Sequence, residues 1–373
     1  MKSEHRRLRI LSAILLLAAA SVALIGASQD AAFIAKHDDN DTTPITEAVL
    51  REWLTKYSNW GRWPNDLGAA NYITSRKRRD ATKLVKEGVS IGLAHPVLDV
   101  PFDPTLPRDP AFPSIAPLPT VPLDPDNGNP FFHWMNPTAY TSDRYNVSYH
   151  GTAHSHMDAL CHFQFNFGTA AAPDFRLFNG VSRPANNTPN GCARLGVENL
   201  INGVVTRGVL FDATLLPELL EDDHPWLKLG TAVTRAHLRR LEQIEKVRVE
   251  PGDVILLYTG RWARRAALGP WGTADGVAGY YVDIVPFLFE RGVSFIGHDM
   301  WNDVAPGGFP NFAALPVHTF AITILGVDIF DNLDLERLAA TARRESRWEF
   351  MFSAAPSPVT GGTGSPLNPM AIF

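Results

Sequence analysis

Between His150 and His162 the chain reads HGTAHSHMDALCH, which sets four of its twelve histidines beside an aspartate, a cysteine, a threonine and a serine. Imidazole nitrogen and carboxylate oxygen are ligand types for zinc, and they also serve manganese, nickel or iron where the geometry suits. His154, His156 and Asp158 recur at every second residue. Side chains of an extended strand alternate between faces, so this spacing predicts three ligand-type groups converging from one strand face. Burying several polar groups without partners is costly, and a divalent cation removes that cost while drawing on the charge of Asp158. The isolated His37, His95, His224 and His237 lack such a pattern and read as ordinary core or surface groups. Cys161, beside His162, has three readings: a disulfide with Cys192, the only other cysteine, a buried thiol lining the pocket, or a nucleophile. Water activated by a metal is the stronger candidate for attack.

The elements that must hold these groups follow from composition and pattern. A chain of 373 residues, 45% hydrophobic and 20% charged, can bury a large core. The net charge of −5 gives no support for nucleic-acid binding, and the one basic run, residues 76–79, lies in a helix-like stretch and reads as a solvated face. Helical spacing is predicted over residues 43–57, 76–88, 234–244, 282–291 and 335–343, and short buried strands over 204–211, 253–258 and 293–297. Residues 96–137 contain 12 of the 29 prolines, which excludes regular helix and predicts an extended wrapping segment anchored by its aromatic residues. At the N-terminus, Lys2, Arg6, Arg7 and Arg9 precede an apolar run over residues 10–27. That layout predicts a secretory signal over 1–28, or a membrane anchor if it is not removed, and a secreted or periplasmic protein. The partition expected is therefore 1–28, an N-terminal and proline-rich segment over 29–137, and a catalytic core over 138–373.

The segment SHMDALCHF resembles the signature THxDxPxHF of the metal-dependent cyclase family, whose members include bacterial kynurenine formamidase and isatin hydrolase. GVVTRGVLFD, VEPGDVILLYTGRW, FIGHDMWNDV, PVHTFAITILGVDIFDNLDLERL and GGTGSPLNPMAIF resemble further family blocks in the expected order, and together they cover most of the chain from Asn59. The resemblance implies a mixed, β-rich α/β fold of the swivelling β/β/α type, a homodimer, and hydrolysis of an amide, lactam or formamide C–N bond in a small molecule. By position it makes His156 and Asp158 metal ligands, His162 the proton-transfer residue, and His318 a ligand completing a second metal position. Asp331 stands where many members have glutamate, which keeps the charge but shortens the reach. The family's upstream ligating histidine is replaced here by Thr152, so His154 or His150 must substitute. Both share the strand parity of His156; proximity favours His154, and a β-bulge would favour His150. Trp60, Trp63, Asn71, Phe163 and Trp301 are the substrate-contact candidates by family position.

The chemistry expected is attack by water on one or two divalent ions, zinc or manganese, held among His154, His156, Asp158, His318 and Asp331, with His162 taking and returning the proton. Ser155, Asp299 and Asn302 are candidates to orient the ligands. Three rivals use the same residues: a metal or small-ligand binding protein without catalysis, a lactone or ester hydrolase, and a metal-free hydrolase using Cys161 and His162.

Overall fold

Val254–Tyr258 is an unbroken apolar run, and all five residues are buried, as a strand covered on both faces requires. It lies at the middle of a nine-stranded sheet in a computed structural model that describes residues 44–96, 132–135, 138–141 and 148–373. In chain order the strands are β1 (Ser90–Gly92), β2 (His156–Asp158), β3 (Val204–Asp212), β4 (Val254–Tyr258), β5 (Phe295–His298), β6 (Asp328–Asp331), β7 (Glu349–Ala354), β8 (Gly364–Pro366) and β9 (Met370–Ile372). Across the sheet they run β1-β9-β7-β3-β4-β5-β6-β2-β8. The four strands β3 to β6 are mutually parallel. Every other pairing in this sheet is antiparallel. This is the mixed, β-rich α/β architecture that the family resemblance implies.

Alternation along the strands builds two cores. Val209, Phe211, Ile255, Leu257, Ile296 and Ile329 face one layer. Their neighbours Leu210, Val254, Leu256, Phe295 and Phe330 face the other. The helices that cover them are α1 (Glu47–Lys56), α2 (Ser75–Thr82), α3 (Arg235–Ile244), α4 (Arg261–Leu268), α5 (Val285–Arg291) and α6 (Glu336–Glu345). Thr46, Thr74 and Thr234 cap α1, α2 and α3 by accepting a backbone N–H three residues on, which satisfies one of the donors a helix start leaves open. The helix expected over 76–88 stops after Thr82 and continues as a turn. Arg76, Arg78 and Arg79 of the basic run are exposed on it.

From Ile45 to Phe373 the chain forms one compact unit. The apolar run over residues 10–27 and most of the proline-rich segment lie outside the described residues. Where that segment is described, Phe132–Met135 and Thr138–Thr141 pair as an antiparallel hairpin. Cys161 and Cys192 are disulfide-bonded, and there is no free cysteine among the described residues. The pocket-lining thiol and the thiol nucleophile are therefore corrected: the sulfur of Cys161 is already bonded.

Candidate metal centre

Strands β2 and β6 are antiparallel neighbours, with His156 opposite Asp331 and Asp158 opposite Ile329. Met157 and Phe330 belong to one core layer. Strand alternation therefore sends His156, Asp158 and Asp331 together to the opposite face. His318 arrives from the turn Pro316–His318, which runs directly into a buried seven-residue π-helix, Thr319–Leu325. Such irregular turns recur at functional sites because they re-aim a side chain that a regular helix would direct elsewhere.

His156 Nε2 lies 3.3 Å from Asp158 Oδ1 and 3.9 Å from Asp331 Oδ2. His318 Nε2 lies 3.2 Å from Asp331 Oδ2 and 3.8 Å from Asp158 Oδ2. Both rings are fixed from behind. His156 Nδ1 donates to the carbonyl of His154 at 2.8 Å. His318 Nδ1 meets Asp303 Oδ2 at 2.5 Å. Asp303 is itself held by the backbone N–H groups of Val317 and His318. Each ring thus turns Nε2 toward the carboxylates, the arrangement by which outer partners orient a ligating histidine. Asn302 Nδ2 donates to Asp331 Oδ1 at 2.6 Å.

A second group shares Asp158. His150 Nδ1 is 2.8 Å from Asp158 Oδ1, and its Nε2 is 2.8 Å from Thr363 Oγ1. His162 Nε2 is 3.7 Å from Asp158 Oδ2. The rings of His150 and His162 stack with centroids 3.8 Å apart. Two sets can each hold a metal ion: His156, Asp158 and Asp331, and His150, Asp158 and His162.

The donor set fits a divalent cation. Ligand atoms about 2.1 Å from one ion sit roughly 3.0–3.4 Å apart in octahedral or tetrahedral coordination. Among His156, His318, Asp158 and Asp331 the shortest separations, 3.2 and 3.3 Å, match that spacing and are long for strong hydrogen bonds. Charge tells the same story. Burial alone would raise the Asp158 carboxyl, but the imidazoles of His162, His150 and His156 hold it well below the usual carboxylate range. Burial opposes charge on His318 as well, yet Asp331 and Asp303 raise it well above an ordinary histidine. Burial also opposes charge on His156, whose raised value comes from Asp158 and Asp331. The cluster stabilises positive charge, whether carried by protons or by a metal. His162 behaves differently: burial lowers it to about 4, so it is neutral at neutral pH.

The residues predicted from sequence separate into two sets. His156, Asp158, His162, His318 and Asp331 come together, and His150 joins them. His154 does not. Its ring is buried, its Nε2 has no hydrogen-bond partner among the described residues, and it belongs to neither ligand group. The geometry places His150 rather than His154 beside Asp158, because β2 begins only at His156 and residues 150–154 form a turn to which strand parity does not apply. That turn is clamped from beneath. Arg261 donates to the carbonyl of Thr152, while Asn332 donates to the carbonyls of Gly151 and His154.

Among the substrate candidates, Phe163 packs against both His162 and His318, at 5.2 and 4.9 Å between ring centroids. Trp60 donates to the Thr323 carbonyl, Trp63 packs edge-on to Tyr72, and Asn71 bonds Asn65 and Gly68. None of these three makes a described contact with the cluster. The Trp301 carbonyl accepts from His298 Nδ1, and its own Nε1 is buried without a partner among the described residues. Of the residues proposed to orient ligands, Asn302 does so directly. Ser155 donates to the Asn332 carbonyl, and Asp299 accepts the N-terminal N–H groups of α4. Sequence reasoning missed Asp303, Arg261, Asn332 and Thr363. Asp303 was within reach, since it follows Asn302 in a polar run, HDMWND, inside a buried strand-and-turn segment. The other three act through chain neighbours that no spacing connects.

The cyclase family model matches residues 91–303, more than half of the chain. No curated protein matches it. Among solved structures, one described as a novel cyclase is 28% identical, with a TM-score of 0.68 over 86% of this chain and 99% of that one. Isatin hydrolase A from Labrenzia aggregata, bound to benzyl benzoate, is 19% identical, with a TM-score of 0.48 over 78% of this chain and 94% of that one. Isatin hydrolase A from Ralstonia solanacearum is 17% identical, with a TM-score of 0.46 over 89% and 98%.

Proposed function

The chain belongs to the cyclase family, and from that premise we propose that it is a metal-dependent hydrolase of an amide, lactam or formamide C–N bond in a small molecule. The observation that carries this reading is the meeting of two buried carboxylates and two buried imidazoles at ligand-to-ligand distances of 3.2–3.9 Å. His156, His318, Asp158 and Asp331 would hold the first ion, zinc or manganese, and His150, beside Oδ1 of the same Asp158, offers a second position. A divalent ion bound there supplies a water acidified toward neutrality and polarises the carbonyl under attack.

The chain's own residues do the rest. Asp303 and the His154 carbonyl keep the two imidazoles aimed, so no reorganisation is needed when substrate arrives. His162, neutral at pH 7, accepts the water's proton at Nε2 and returns it to the departing nitrogen, which then leaves as a neutral amine. Phe163 packs against both His162 and His318 and shields one side of that transfer. Elemental analysis of the purified protein, with assays on aryl formamides, isatin-like lactams and lactones in the presence and absence of a chelator, tests the proposal. Stoichiometric metal with chelator-sensitive amide cleavage supports it. Metal without turnover indicates the binding-protein reading, and cleavage of lactones alone moves the reaction to C–O bonds.

The N-terminal pattern of basic residues and an apolar run supports a secreted or periplasmic location. A Cys161–Cys192 bond is consistent with an oxidising compartment.

A further inference from the structure

The wall that closes the metal centre has a second side. Phe163, whose ring rests on His162 and His318, also lines a cavity of about 630 Å³ together with Phe165, Phe175 and Phe312. Thr319, the residue after His318, lines it too, so the cavity adjoins the site where chemistry is proposed. Four aromatic rings make it suited to a flat apolar group.

One charged side chain lines this cavity, Arg51 of α1. Its guanidinium lies over the Phe312 ring, 5.8 Å from the centroid, and forms no ion pair with any described residue. Glu47, one helical turn earlier, is the natural internal partner, yet its carboxylate accepts the Asn311 N–H instead. Among the described residues, no carboxylate lines the cavity. By contrast Arg264, which lines a separate pocket, is paired with Glu221. An unpaired guanidinium held against an aromatic face is the arrangement that recognises an anion carried on a ring, because the planar fork matches a carboxylate and the rings fill the space around it.

Resting on the hydrolase reading above, we infer that the substrate is an aromatic compound bearing a carboxylate remote from the scissile bond, with its ring among Phe163, Phe165 and Phe312 and its anionic group on Arg51. The reacting carbonyl would then lie on the histidine side of Phe163, and Arg51 would set specificity without touching the reacting atoms.

The test compares 3-phenylpropionate with 3-phenylpropanamide, which share a shape and differ in charge, by calorimetric titration of metal-stripped protein. Removing metal prevents the acid from binding an ion instead of Arg51. Wild type should bind the acid about fivefold more tightly than the amide, the size expected for a partly exposed charge pair. Arg51→Gln should bind the two equally, and Arg51→Lys should keep part of the preference. Because Arg51 is exposed, circular dichroism and melting temperature should be unchanged in both variants. Equal binding of acid and amide by wild type, an undiminished preference in Arg51→Gln, or no binding of either probe would overturn the inference. Zinc titration of the same wild-type preparation separates the two ideas. Zinc binding without acid preference defeats this inference alone, whereas acid preference without zinc binding defeats the hydrolase reading and leaves an aromatic-acid site.

Discussion

Asp253 and Asp158 are both fully buried carboxylates at the sheet, and the protein treats them in opposite ways. Asp253 is closed by fixed cations: Arg207 reaches it at 2.7 and 3.0 Å, Lys77 at 2.5 Å, and the Glu250 N–H at 2.8 Å. Among the described residues, Asp158 is offered positive charge only by imidazoles, of which just His150 is at hydrogen-bond distance, while His156, His162 and His318 stand at 3.3–3.8 Å. A buried carboxylate ringed by arginine and lysine is satisfied permanently. One ringed by histidines is satisfied only while they carry protons or share a metal, since neutral imidazole brings no charge. The first cluster is a structural pin and the second is a socket.

The sharpest way to break that contrast is to remove each carboxylate in turn. Asp158→Ala should abolish hydrolysis, by at least about 10³-fold, while the apo protein stays folded, because the substitution relieves a cluster that lacks fixed counter-charge. Asp253→Ala should leave metal content and kcat near wild type but cost about 3 kcal/mol of stability in denaturant unfolding, because Arg207 and Lys77 lose their shared partner. If the two variants behave alike, the distinction between pin and socket fails. His162→Gln should retain metal while kcat falls by about 10²–10⁴, the range for losing a general acid–base group; a fall in metal content instead would make His162 a ligand. Asp303→Ala, which frees the back of His318, should weaken metal binding by about 10–100-fold in a competition assay with a chelating dye.

How far the sequence foretold this contrast depends on the kind of structure involved. Regular elements were legible: the apolar run of β4 and the capped helix α3 lie where periodicity sets them. So was the pairing of His156 with Asp158, because their alternation falls within a true strand. His150 against His154 was not, since alternation was extended into residues 150–154, which form a turn fixed by Arg261 and Asn332 from distant parts of the chain. Strand β7 went unread although Phe350, Phe352 and Ala354 alternate inward in it, with Glu349, Met351 and Ser353 less buried. His318 and Asp331 entered through family resemblance alone; nothing local links a residue before a π-helix to one at a strand end.

The smallest effect expected concerns a third, partly buried acid. Burial raises Asp283 to about 6 even though it accepts the Arg235 N–H at the start of α3. In this case the folded state binds the proton more tightly than the unfolded chain, so the stabilising contribution is complete below about pH 4 and is lost as pH rises toward 6. Asp283→Asn keeps an acceptor but not the charge. It should raise stability at pH 7 by roughly 1–2 kcal/mol and flatten the pH dependence between 4 and 6, as read from urea midpoints.

The most direct measurement is a calorimetric titration of zinc and of manganese into metal-stripped wild type, Asp158→Ala and Asp331→Ala at neutral pH. The account predicts tight, stoichiometric binding of one of the two ions to wild type and loss of that binding in both variants, with folding intact. Wild type that is folded yet takes up neither ion, or variants that bind as wild type does, would contradict it.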